Sequence, residues 1–140
     1  MIEKNTDNKI KHDFRSEKSF YFTHHTGSGY MIRGEIWLEK NGTIFMDSKR
    51  VTLLRLIDKH GSLAAAARTM KLGYNTAWLW IMAMNHLSPL PLVERGSGGV
   101  NGGYSKLTRQ GYRVIENYHK LNGSLKEAIE ECGDLQSANS

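Results

Sequence analysis

The stretch GYNTAWLWIMAMN, residues 73–85, decides the fold of this chain, because its spacing is helical and gives it two surfaces of different character. It contains two tryptophans and no formally charged side chain. At 100° per residue, four apolar residues share an arc of about 100° and predict a face that packs into a core. These residues are Ala77, Trp80, Ile81 and Met84. The residues that point away from that face are Asn75, Thr76, Leu79, Met82 and His86.

The opening stretch is too short to cross a membrane. Its longest uncharged apolar run, residues 77–84, has eight residues, whereas a span needs about 20. The 140 residues begin without an apolar signal region, and the mean hydropathy is negative. The single cysteine, Cys132, excludes an internal disulfide and a cysteine-based zinc cluster. We therefore expect a cytoplasmic protein that makes no membrane contact.

Basic residues are concentrated in the middle of the chain. From Ser48 to Arg113 there are ten Lys and Arg against two acidic residues, a net charge of +8, whereas the remainder carries −3. Such a concentration is typical of a polyanion binder. A solvated basic surface without a partner would give the same pattern.

The pattern along the chain predicts a flexible polar arm over residues 1–28, a domain over 29–131 and a tail over 132–140. The arm holds an isolated Phe20-Tyr21-Phe22, and at most one short piece of it is expected to be ordered. Tyr30 to Met46 is expected to be a β-hairpin, because Asn41-Gly42 between apolar runs is the strongest short hairpin signal.

Three helices are predicted after the hairpin. Asp47 or Ser48 caps the first, which runs to about Lys59 and ends at Gly61. Its apolar face is predicted to be Val51, Leu54, Leu56 and Ile57. Ser62 caps a short second helix with four consecutive alanines, residues 63–70, and the opening stretch forms the third after a turn at 71–73.

Two short strands and a long helix complete the pattern. The strands, residues 92–95 and 104–107, flank a glycine-rich loop, and Thr108 caps a helix that reaches about Glu131. This order is that of a winged helix-turn-helix domain, whose third helix enters the DNA major groove. The predicted class is α+β, mainly α, with the hairpin at 30–46, the helix-turn-helix at 62–86, the wing at 92–107 and the last helix at 108–131.

The glycine loop, residues 96–103, does not have the spacing of a nucleotide-binding loop. A P-loop requires Lys-Ser/Thr after its last glycine, whereas Tyr104-Ser105 follows here. The dinucleotide-binding motif Gly-x-Gly-x-x-Gly is not matched either, because Asn101 stands at the position of its third glycine. A flexible wing fits better, and a mobile tip without function is the alternative. No set of residues suggests catalysis, and His24-His25 lacks a completing metal ligand. We expect no enzyme, no cofactor and no metal site.

The N-terminal end of the third helix is predicted to read bases. Asn can pair with adenine, and Thr or Leu can contact a thymine methyl. The base-reading set is Tyr74, Asn75, Thr76, Leu79 and, at the margin of the face, Trp78. Phosphate contacts, which position a protein without reading sequence, are expected from Arg68, Lys71, Lys106, Arg109 and Arg113.

Several motifs resemble the N-terminal DNA-binding domain of the ModE family of molybdate-responsive regulators, a winged helix-turn-helix related to the LysR type. They are Gly61-Ser62-Leu63, Ala66-Ala67-Arg68, Tyr74-x-x-Ala77-Trp78, Met84-Asn85, Pro91 to Arg95, Gly98-Gly99, Gly102-Gly103 and Leu107-Thr108-x-x-Gly111. The resemblance runs from about Gly34 to Leu121.

The resemblance implies a homodimer on a pseudo-palindromic operator, with dimer contacts from the first hairpin and the last helix. It places Tyr74, Asn75, Thr76 and Trp78 near double-stranded DNA and makes 96–103 the wing. The backbone set then also includes Ser62, Arg95, Ser97, Gly98, Gly99, Asn101 and Gly102.

The sequence departs from the family pattern at several positions. Lys71 stands where the family has the turn glycine, and Gly73 stands where it has the serine that caps the recognition helix. Asn75 and Val100 each stand where the family has a lysine. We therefore expect the operator sequence to differ from that of the family. Only about nine residues follow the last helix, so no molybdate site is expected in this chain. The alternative function is a protein-interaction module with little DNA affinity, docking through Trp78, Leu79 and Met82.

Overall fold

A computed structural model of the protein describes residues 22–97 and 103–138, with side chains through residue 131. The chain divides into two compact units. Unit 1 combines the residues up to Ile36 with those from Ser124 onward, and unit 2 is Trp37–Gly123. This division differs from the predicted single domain over 29–131, because the segment around Gly34 packs with the segment around Ile129.

The described residues form an α+β structure in which each sheet is one antiparallel pair of strands. The strands are β1 (Phe22–His25), β2 (Met31–Gly34), β3 (Leu38–Lys40), β4 (Thr43–Met46), β5 (Val93–Gly96) and β6 (Tyr104–Leu107). The helices are α1 (Ser48–His60), α2 (Leu63–Thr69), α3 (Tyr74–Leu87) and α4 (Arg109–Ala138). Within these ranges no helix has both the length and the apolar character of a membrane span.

Unit 1 contains a hairpin that the sequence did not predict. β1 pairs with β2, although residues 22–28 were expected to be part of a flexible arm. The connecting turn is closed on both sides by Thr26, whose N–H donates to Tyr30 O at 2.8 Å and whose hydroxyl accepts from Tyr30 N at 2.9 Å. Gly29, with φ +91°, supplies the left-handed residue of the turn.

Gly34, at the end of β2, lies against the C-terminal part of α4 within unit 1. A Cβ atom at this position would lie 2.4 Å from Ile129 Cδ1 and 3.6 Å from Leu125 Cδ2. Ile129 is 8 % exposed, so the absent side chain of glycine leaves the space that the isoleucine fills. A larger residue at this position would require the end of the Ile129 side chain to move.

In unit 2, β3 and β4 form the hairpin that Asn41-Gly42 predicts. Both turn residues have positive φ, 55° and 76°, as a type I′ turn requires. The pairing is shorter than predicted, because β3 begins at Leu38 and its register shifts between Leu38 and Glu39. Trp37 lies before the strand and donates from Nε1 to Glu39 Oε1 at 3.1 Å.

Helix α1 has the ends that its sequence predicts. Asp47 is the N-cap, and its carboxylate accepts from Arg50 N at 2.8 Å and from the Arg50 guanidinium at 2.7 Å. Gly61, with φ 71°, ends the helix. One prediction for its apolar face was wrong, because Leu53 is fully buried whereas Leu56 is only half-buried.

Helices α2 and α3 are joined by a four-residue connection, residues 70–73. Ser62 caps α2 by accepting from Ala65 N at 3.2 Å, and Ala66 and Ala67 are buried, as a close helix pair requires. In the connection Lys71 has φ 55°, a left-handed conformation that costs a residue with a Cβ about 1 kcal/mol. The turn therefore stores strain where the resemblance expects glycine.

Replacing Lys71 by glycine is expected to raise the free energy of unfolding by about 0.5–1 kcal/mol, because glycine adopts this conformation without strain. Urea denaturation measures the change. The matched control is Lys71→Ala, which also removes the charge but keeps the Cβ atom. Equal stability of the glycine and alanine variants would show that the left-handed conformation is not strained.

Three of the four predicted core residues of α3 are buried, namely Ala77, Ile81 and Met84. The prediction for Trp80 was wrong, because its side chain is half-buried. The Arg50 guanidinium lies 4.3 Å from the centroid of its ring, and the cation-π contact keeps the indole at the edge of the core.

Helix α4 continues beyond its predicted end. It runs through Asn122-Gly123 and reaches Ala138, so part of the predicted tail, residues 132–138, is helical. Its first turn is fixed by Thr108, whose hydroxyl accepts from Gly111 N at 3.0 Å and donates to Pro91 O at 2.6 Å. One turn on, the Tyr112 hydroxyl donates to the Asp58 carboxylate of α1, and this hydrogen bond raises the pKa of Tyr112.

Candidate nucleic-acid interface

The N-terminal half of α3 presents a solvent-facing surface. Tyr74 is 45 % exposed and Leu79 63 %, and Asn75 and Thr76 are also exposed. Trp78 is half-buried. The structure thus brings the five residues of the predicted base-reading set together in the first two turns of one helix, as their spacing requires.

Arg95 joins this surface from strand β5. Its Nη2 donates to the Tyr74 hydroxyl at 2.8 Å, and its guanidinium carbon lies 4.2 Å from the centroid of the Trp78 ring. Tyr74 and Trp78 are four residues apart, so their side chains are neighbours on one face of α3. We refer to Tyr74, Trp78 and Arg95 as the arginine cluster. The sequence predicted Arg95 only as part of the backbone-contacting set.

The strand that carries Arg95 is attached to the other end of the same helix. The Asn85 side chain accepts from Leu92 N at 2.8 Å and from Val93 N at 3.2 Å, and it donates to Val93 O at 3.1 Å. Leu92 and Val93 are buried, so these hydrogen bonds satisfy backbone groups that water does not reach. Two residues of α3 therefore hold β5: Asn85 contacts the start of the strand and Tyr74 contacts Arg95 near its end.

Asn85 was missed as a structural anchor when the sequence was considered alone. Its hydrogen-bond partners lie in a later segment of the chain, to which no spacing signal connects it. A polar residue flanking an apolar helix face just before a Pro-x-Pro break is the only local sign of this anchor.

Strand β6 is held against the end of α1. Ser105 is buried, and its N–H donates to Gly61 O at 3.0 Å. Two glycines allow β5 and β6 to approach closely, since a Cβ atom on Gly103 would lie 2.4 Å from Gly96 O and one on Gly96 would lie 2.3 Å from the Tyr104 ring. Both strands of the hairpin are thus fixed to the helices.

The exposed cations of the predicted backbone-contacting set lie on α2, on the turn before α3, on β6 and on α4. Arg68 lies in the last turn of α2, Lys71 in the turn before α3, and Lys106 on β6. Arg109 and Arg113 are exposed in the first turns of α4. Lys106 has one acidic neighbour, Glu94 at 3.8 Å, and because both side chains are more than half exposed this ion pair stabilises little.

The other predicted backbone contacts have different positions. Ser62 uses its oxygen to cap α2, and Ser97 is exposed at the end of β5. The predicted wing residues Gly98, Gly99, Asn101 and Gly102 lie outside the described residues.

The fold and this surface define a small α+β protein in which a solvent-facing helix, preceded by a helix and a turn, lies beside a two-stranded hairpin. No family model matches the chain. It is 42 % identical over 86 residues to the transcriptional regulator ModE of Haemophilus influenzae, a match that covers 61 % of this chain and 34 % of that protein.

Two further relatives give similar matches. The chain is 38 % identical over 91 residues to the DNA-binding transcriptional dual regulator ModE of Escherichia coli, covering 65 % of this chain and 35 % of that protein. It is 37 % identical over 92 residues to the molybdenum-pterin-binding protein MopA of Rhodobacter capsulatus, covering 66 % of this chain and 35 % of that protein. The chain spans about a third of the length of these curated relatives. The aligned region is similar in sequence to these relatives over about two thirds of this chain.

Proposed function

We propose that this protein is a sequence-specific DNA-binding transcriptional regulator of the ModE type, with a winged helix-turn-helix formed by α2, α3 and the β5–β6 hairpin. The observation that carries the proposal is the exposed N-terminal half of α3, together with the exposed cations Arg68 and Lys71 in the helix and turn that precede it. The names of the relatives support a role in transcription and a process related to molybdenum.

In the proposed complex α3 enters the major groove, which is about 12 Å wide and admits one helix. Asn75 and Thr76 are short, polar and exposed at its N-terminal turn, the part of a recognition helix that contacts base edges. An amide pairs bidentately with adenine, and the threonine methyl packs on the methyl group of thymine.

The cations of α2, the turn, β6 and α4 would hold the DNA backbone. A Lys or Arg side chain on a phosphate releases a condensed counterion, so each such contact strengthens binding and makes it depend on salt. Arg68, Lys71 and Arg113 are exposed and none is within ion-pair distance of a described acidic side chain.

A homodimer on a pseudo-palindromic operator is part of the proposal. The segments that the resemblance assigns to dimer contacts carry exposed apolar side chains, Trp37 at 38 % beside β3 and Leu121 at 40 % on α4. Burial of such side chains against a second copy would remove apolar surface from water.

Selection from a random DNA duplex pool tests the proposal. The folded protein is expected to enrich a sequence with two-fold symmetry, and sedimentation is expected to give two protein chains per duplex. The logarithm of the binding constant should fall linearly with the logarithm of salt concentration. Failure of a folded dimer to enrich any motif would exclude a sequence-specific regulator.

A protein-interaction module is the second candidate, and the apolar side of α3 favours it. Leu79 is 63 % and Met82 49 % exposed, and a base-reading helix does not require both. DNA binding separates the two functions. A DNA-binding regulator in which Met82 faces away from DNA should keep its DNA affinity within about threefold when Met82 is replaced by glutamine. An interaction module would show no DNA binding at any salt concentration.

A further inference from the structure

We infer that Arg95 reads a guanine base in the operator, and that Tyr74 and Trp78 hold its guanidinium in the orientation for that contact. The inference rests on the proposed DNA-binding function and deepens it. Arg95 would then belong to the base-reading set, which determines specificity, and not to the backbone-contacting set.

The first support is the geometry of the arginine cluster. The guanidinium lies over the Trp78 ring at 4.2 Å and donates from Nη2 to the Tyr74 hydroxyl at 2.8 Å. The contact with the indole ring and the hydrogen bond to the Tyr74 hydroxyl together restrict the positions that the guanidinium can take. Because an arginine has five N–H donors and this bond uses one, the group keeps donors for a bidentate contact.

The second support is the rigidity of the strand that carries Arg95. Val93, two residues earlier on the same face of β5, is held by Asn85, and Arg95 itself pairs with Ser105, whose N–H is bound to Gly61 O at 3.0 Å. Both the backbone and the side chain of Arg95 are therefore positioned before DNA binds. An arginine loses side-chain freedom on binding, and contacts made before binding reduce that loss.

The third support is the location of the cluster. Tyr74, which the guanidinium contacts, is the first residue of α3 and directly precedes Asn75 and Thr76, the residues proposed to contact bases. A phosphate contact needs only a charge near the backbone, as exposed Lys106 on the neighbouring strand provides. A guanidinium held by these two contacts can instead donate to both the O6 and N7 atoms of guanine, which is the commonest specific arginine contact in the major groove.

The test measures how replacing single guanines in the operator changes the affinity of the wild-type protein and of Arg95→Gln. Wild-type protein first supplies the enriched operator, and each guanine in it is then replaced singly by 7-deazaguanine, which lacks N7. At one position this replacement is expected to weaken wild-type binding about 10- to 100-fold. In Arg95→Gln the same replacement should have no effect, because the protein no longer contacts N7. Inosine at that position keeps O6 and N7 and should bind the wild type within about threefold.

Two variants separate orientation from charge. Tyr74→Phe removes only the hydroxyl, so it should reduce the discrimination between guanine and 7-deazaguanine by a larger factor than it reduces binding to random duplex. Lys106→Gln removes a charge from the adjacent strand and should weaken binding to all sequences alike, with the discrimination intact. Thermal unfolding checks that each variant is folded.

The results for Arg95→Gln decide whether Arg95 contacts a guanine base or a phosphate. If Arg95→Gln still loses affinity on 7-deazaguanine substitution, or weakens specific and random duplex equally, Arg95 is a phosphate contact and the inference is wrong. If the wild-type protein enriches no motif at all, the proposed function fails, and the inference fails with it.

Discussion

Replacing Asn85 by alanine is expected to lower the free energy of unfolding by about 3 kcal/mol, because it leaves buried backbone groups without partners. The Asn85 side chain makes three hydrogen bonds to the backbone of Leu92 and Val93. Both residues are 4 % exposed or less, so water does not replace the lost partners. Because alanine is a better helix former than asparagine, the helix itself does not account for the loss.

Chemical denaturation of Asn85→Ala and Asn75→Ala measures this effect. Asn75 lies on the same helix but is exposed, so its replacement should change the free energy of unfolding by no more than about 0.5 kcal/mol. If the two variants were equally stable, the hydrogen bonds of Asn85 would contribute nothing beyond those that water provides in the unfolded chain. Loss of the anchor should also loosen β5, and with it the positioning of Arg95.

Replacing Gly111 by alanine is expected to lower the free energy of unfolding by about 3 kcal/mol through steric overlap. An added Cβ atom would lie 2.4 Å from Leu92 O and 3.4 Å from Leu107 Cβ. Leu92 O already accepts from Thr108 N at 2.9 Å, and Leu92 is fully buried, so moving the carbonyl would disturb both this hydrogen bond and the packing of the core. The start of α4 would have to shift away from β5.

Gly123 is the matched control for this variant, because it lies in the same helix and an added Cβ atom would meet nothing within 4 Å. Gly123→Ala should raise the free energy of unfolding by about 0.5–1 kcal/mol through helix propensity. Opposite signs for the two glycines would confirm close approach at Gly111. A stabilising Gly111→Ala would contradict it.

Local interactions explain why several parts of the fold were predictable from the sequence. The Asn41-Gly42 turn, the caps Asp47 and Ser62 and the stop at Gly61 all act within four residues of their partners, so a short stretch of sequence specifies them. The helical face of Ala77, Ile81 and Met84 was also predictable, because it depends on spacing within one element.

Contacts between distant segments explain what was missed. Trp80 was expected in the core, but its position depends on Arg50 of another helix. The β1–β2 pairing depends on a turn at 26–30 without a strong hairpin signal. The hydrogen bonds of Asn85 and the arginine cluster each join α3 to a strand that comes later in the chain. The base-reading and phosphate-contacting roles stay predictions until DNA binding is measured.

The packing of Gly34 against Ile129 has a consequence for the order of folding. Unit 2 is one continuous stretch of chain, whereas unit 1 combines two segments that all of unit 2 separates. On the ribosome Gly34 emerges long before Ile129 has been synthesised, so the β2 surface is without its helix during that interval. Bringing Gly34 and Ile129 together closes a loop that contains all of unit 2, and this costs more chain entropy than pairing between neighbouring residues does. The hairpin that begins the described chain is therefore among the last parts to find its final neighbours.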